Sequence, residues 1–175
     1  MRRRIAFTLL AAAAAAAPAA AQPAQSMRFG SGGTVAEAAG AFRDICMAHP
    51  GDATAQRAAA LALKPKPFRR ADGSPDGVES FTLYFTQLSL LETPGGQVCA
   101  VLSPMFDPPA PDAALADTQR RLHLGNPLVS GEQRIWPRKI DTRPQTIAYT
   151  YHTQPDAMGK PRQTVQLTLI APKVR

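Results

Sequence analysis

Histidine and cysteine are scarce in this chain, with three and two in 175 residues, and only 6% of it is aromatic. His49, His123 and His152 fall at no spacing that pairs a nucleophile with a base or builds a metal triad. Surface positions account for them: His152 shares the Thr146 and Thr150 face of its strand, and His123 closes a helix, where a cation suits the dipole. The Gly-x-Ser-x-Gly elbow, the phosphate loop, His-Glu-x-x-His and the dinucleotide fingerprint are all missing, so the motifs imply no reaction and no cofactor. Aromatics do not interleave with the basic residues and no recognised binding module appears, which excludes nucleic acid as a partner class. The leucine-rich stretch Phe7 to Leu10 is far short of the roughly 20 residues that span a bilayer. The first cysteine is Cys46, so a lipid-modified cysteine near the start is excluded as well.

What the sequence does have begins at its N-terminus. Arg2, Arg3 and Arg4 precede an apolar, alanine-rich run, and small residues at Ala19 and Ala21 stand before Gln22. This is the order of a cleavable secretory signal over residues 1–21, with the Sec route favoured because Ile5 and Ala6 do not give a twin-arginine pattern. Residues 22–33, rich in Gln, Pro, Ala, Ser and Gly, read as a flexible leader, and 34–175 as one domain. The whole chain carries 20 Lys plus Arg against 13 Asp plus Glu, a net +7. Losing the three signal arginines leaves 17 against 13, a net +4. The doublets Arg69-Arg70, Arg120-Arg121 and Arg138-Lys139 are candidates for meeting an anionic envelope polymer, although solvated surface is the commoner use of such charge.

Thr34 and Glu37 have capping-box spacing, and a helix to about Ala48 follows, with Val35, Ala38, Ala39, Phe42, Ile45 and Cys46 on one stripe. Asp52 caps a second, alanine-rich helix to about Leu63. Phe81, Leu83 and Phe85 alternate with Thr82, Tyr84 and Thr86, and Pro94-Gly95-Gly96 turns the chain into a return strand, Gln97 to Ser103. That strand sets Val98, Ala100 and Leu102 on one face and Cys99 and Val101 on the other, which predicts that both faces are partly covered. Asp112 caps a third helix closed by Gly125. A loop carrying Trp136 leads to a second hairpin, Ile147, Tyr149 and Tyr151 going out and Val165, Leu167 and Leu169 returning, with a turn from Gln154 to Pro161. The expected fold is α+β, in the order ααββαββ: three helices on an antiparallel sheet of about four strands. No solenoid repeat is visible.

Cys46 and Cys99 each fall in a packed segment of a chain read as exported, which predicts a disulfide joining the first helix to the sheet. The alternative is a metal site of Cys46, Met47, His49 and Cys99, which needs reduced thiols. Gly30-Ser31-Gly32-Gly33 before a helix start has the composition of an anion cradle, but it follows no strand and carries no lysine, so a linker is preferred. Trp136, beside Pro137, is a candidate platform for a sugar or peptide, against the commoner role of closing a core edge.

The signal, the helix segment Phe42-Arg43-Asp44-Ile45-Cys46, the alanine-rich second helix and a strand bearing Cys99 together resemble small exported proteins of alphaproteobacteria. The resemblance implies an α+β layout and a cell-envelope setting, and it carries over no catalytic residue. The resulting expectation is a periplasmic or secreted, disulfide-stabilised, non-catalytic domain. It would bind a protein, peptide or anionic polymer through its surface, with Arg69, Arg70, Arg120, Arg121 and Trp136 as candidate contacts. The alternative is a small periplasmic hydrolase or metal-handling protein.

Overall fold

A computed structural model describes residues 33–63, 66–67, 78–83, 85–105, 108–140, 142–155 and 161–174. The signal over 1–21, the leader to residue 32 and the Arg69-Arg70 doublet lie outside the described residues. The first helix starts as expected. Thr34 accepts the amide of Glu37 at 3.1 Å and the Glu37 carboxylate accepts the Thr34 amide at 2.9 Å, a complete capping box on α1 (Val35–Ala41). The helix runs on as a π-helical segment, Phe42–Met47, which buries Phe42, Ile45 and Cys46. Helix α2 (Ala53–Ala62) is capped by Asp52, which accepts the Ala55 amide at 2.9 Å. Helix α3 (Pro111–Leu122) starts two positions earlier than expected: its N-cap is Ala110 and not Asp112, with Pro111 in the first turn, where a missing N–H costs nothing. His123, in the left-handed region at φ 52°, ends it in place of Gly125.

The sheet is where the expectation fails. Four strands in the order ααββαββ are replaced, among the described residues, by eight: β1 (Lys66–Pro67, a two-residue edge), β2 (Val78–Leu83), β3 (Thr86–Thr93) and β4 (Gly96–Pro104) before α3, then β5 (Leu128–Ser130), β6 (Gln133–Ile140), β7 (Arg143–Pro155) and β8 (Pro161–Ala171) after it. All neighbours are antiparallel, in the spatial order β1-β2-β3-β4-β8-β7-β6-β5. Each half is thus helix followed by a four-strand meander, and the two meanders join at their last strands. The physical reasons for the miss are local. The reversal between Leu83 and Thr86 uses none of the usual turn residues, so two strands read as one, although the buried positions shift there from odd (Phe81, Leu83) to even (Thr86, Leu88, Leu90). Pro137 sits within β6 and argued for loop, but it lies near the sheet edge, where only the three-residue β5 lies beyond.

One face of the sheet is the core. Phe81, Leu88, Leu90, Val101, Ile147, Val165, Leu167 and Leu169 are buried against Val35, Ala38, Phe42 and Ile45. Helix α1 and its π-helical continuation lie over the central strands β4 and β8, α2 reaches β3, and α3 packs on α1. Gly51, at φ 77°, lets the chain pass so close to Pro172 that a Cβ there would stand 2.0 Å from its carbonyl oxygen.

Candidate functional site

The predicted disulfide forms. Cys46, from the π-helical segment, and Cys99, from β4, are bonded with their Cα atoms 5.6 Å apart, and among the described residues no cysteine is free. Beside it, Gln56 of α2 donates to the carbonyls of His49 (2.8 Å) and Cys46 (3.3 Å) and accepts from the buried Gln97 of β4 at 2.6 Å. Helix, π-segment and sheet are therefore tied at one point, covalently and by a buried amide chain. In this bonded state neither sulfur offers a thiolate, and Cys46, His49 and Cys99 do not compose the alternative metal set. Among the described residues no three His, Cys, Asp or Glu side chains gather as metal ligands.

The other candidates are placed as follows. Trp136 is 5% exposed and its indole N–H donates to the Gly125 carbonyl at 2.8 Å, so the ring belongs to the core with its polar atom engaged by the segment after α3. Arg120 and Arg121 both pair with Asp117, the second at 2.8 Å, on the outer side of α3. Partial burial opposes ionisation of Asp117, yet the Arg121 and Arg120 guanidiniums outweigh it and hold the carboxyl below its ordinary range. An open hollow of about 360 Å³ is lined by His123, Leu128, Trp136 and Arg138 among others, and holds no carboxylate. His152 stands 3.9 Å from Glu132 near the surface.

The most extended feature is the sheet face turned away from the helices, which sequence reasoning missed. Side chains alternate along a strand, so the residues between the buried ones point to this side. Register aligns them into rows across six strands. The first row is Val78, Leu91, Val98, Ile170, Thr146 and Pro137; the second is Ser80, Ser89, Ala100, Thr168, Ala148 and Ile135; the third is Thr82, Gln87, Leu102, Gln166, Thr150 and Gln133. None of these positions carries Asp, Glu, Lys or Arg. The shared face is visible in its hydrogen bonds, Ser80 to Ser89 at 3.2 Å and Gln166 to Thr168 at 3.4 Å. The acidic residues of the strands lie on the helix side, where Glu79 pairs with Arg57 (2.6 Å) and Glu92 with Lys173 (2.9 Å). In register, the charges that bound the open face are Lys139 and Arg162, beyond its two ends. Among the described residues every helix that packs on the sheet does so from the Cys99 side, so the cover predicted over Val98, Ala100 and Leu102 is not supplied.

Among the described residues no helix is long and apolar enough to cross a membrane. No protein-family model matches the chain, and comparison with curated proteins and with solved structures likewise finds no match.

Proposed function

We propose that this chain is an exported, non-catalytic domain of the cell envelope that works by macromolecular contact, and that the uncharged sheet face makes the contact. The observation that carries the reading is the set of three rows of six positions, free of formal charge, in a domain with 17 Lys plus Arg and 13 Asp plus Glu once the signal is removed. Solvated sheet faces are ordinarily where a protein places its charges, whereas the centre of a protein interface is depleted of them. A protein or peptide surface fits this face better than an anionic polymer does. The basic doublet of α3 shares one carboxylate, Asp117, which offsets half of its charge, and Arg43 is bound by Asp44 at 2.7 Å. The export signal and the resemblance to alphaproteobacterial envelope proteins supply the setting.

Capture from cell-envelope fractions on the immobilised protein tests the reading, comparing the natural sequence with Ala100→Arg. A partner held through this face is retained at moderate salt and lost with Ala100→Arg. Capture that survives Ala100→Arg but disappears with salt would move the contact to the basic surface and refute the assignment.

A further inference from the structure

We infer that the occupant of the open sheet face is a second copy of this chain, packed sheet against sheet; this rests on the reading of that face as a contact surface. Three observations lead there. The first is charge. The chain is positive overall, so two copies repel wherever their basic residues meet, and the open face is the broad surface on which they approach without bringing like charges together. A partner of opposite charge finds no basic residue in these rows to pair with. The second is shape and size. A face six strands wide and three rows deep covers roughly 25 Å by 20 Å, on the order of 500 Å² in projection before side-chain relief is added. This approaches the ~800 Å² per partner of a stable interface. The third is the apolar row. Leu91, Val98 and Ile170 adjoin in register and Ile170 is 48% exposed, which gives the interface an apolar strip while Ser, Thr and Gln of the other rows can pair with the same groups of the copy. The same patch facing itself is the self-complementary arrangement a twofold dimer requires.

Sedimentation of the purified exported protein over a rising concentration series tests this. The expected result is a monomer–dimer equilibrium, weakened at least ~100-fold by Ala100→Arg or Thr168→Arg, because each buries unpaired charge in both copies. An unchanged circular-dichroism spectrum and an intact disulfide will show that the variants fold. Mass that stays monomeric in the natural sequence up to millimolar concentration overturns the inference without any variant. A dimer insensitive to Ala100→Arg but broken by Val129→Arg would overturn it too, placing the contact on the edge strand β5. If the protein is monomeric and Ala100→Arg still abolishes capture from envelope fractions, self-pairing fails while the contact-face reading stands; if capture is unaffected as well, both fail.

Discussion

Val101 and Ala100 are neighbours on β4 and belong to different worlds. Val101 is fully buried between the sheet and the helices, and Ala100 lies in the middle of an uncharged face on which no described element packs. The same alternation runs through every central strand, with Leu167 in and Thr168 out, Ile147 in and Ala148 out. The two-residue period thus separates two tasks: odd positions of β4, β7 and β8 hold the fold, and even positions are free to specify a contact. On the buried side the demands are strict, and even there two polar atoms, Gln97 Oε1 and the Tyr149 hydroxyl, have no protein partner.

The largest effects fall on the buried side. Replacing both Cys46 and Cys99 by serine removes a bond that closes a 53-residue separation, and the expected loss is about 4 kcal/mol in a urea unfolding experiment. Leu167→Ala, in the centre of the core, lowers stability by about 3 kcal/mol, whereas Thr168→Ala next to it changes the same midpoint by less than ~0.5 kcal/mol. Equal costs at both positions would break the comparison.

A pH series sharpens it. Burial, with a smaller contribution from Tyr151, holds the Tyr149 phenol above its ordinary pKa of 10.0. The unfolded chain therefore ionises first, and stability is complete below about pH 10 and falls as pH rises beyond it. Tyr149→Phe removes that part of the alkaline slope and, since the hydroxyl has no partner, does so at little cost near neutral pH. On the acid side the sign reverses. Asp117 is held below its ordinary value, so its contribution is present above the unfolded pKa of about 3.9 and is lost as pH falls through the folded one. At a solvent-facing helix position this is worth well under 1 kcal/mol, the smallest effect predicted, and Asp117→Asn should barely move the acid midpoint.

How far the sequence foretold this division depends on the range over which the signal acts. The caps Thr34 and Asp52, the cysteine pair and the alternation of Ile147, Tyr149, Val165 and Leu167 are local, and each was legible as helix start, disulfide or strand; Asp112 was not the cap of α3. Strand β3 was not, because its reversal from β2 lacks glycine, proline or asparagine; the one trace of it is that the buried positions switch from odd (Phe81, Leu83) to even (Leu88, Leu90). Strand β6 was hidden by Pro137, which only an edge position excuses. The open face could not be read at all from one strand. Thr82, Gln87, Leu102, Gln166 and Thr150 are scattered in sequence and become a row only through register, which long-range pairing sets. The apolar residues at Val98, Ala100 and Leu102 suggested that this face is partly covered too, but the helices pack on the Cys99 side.

The most direct test of what covers that face is carbene footprinting of the purified protein, read residue by residue, first dilute and then concentrated or mixed with envelope extract. The account predicts that labelling at Leu91, Val98 and Ile170 falls in the crowded sample while labelling at Leu61, 55% exposed on α2, stays constant. Labelling of the sheet face that does not change under either condition, or protection that appears at Leu61 instead, would contradict it.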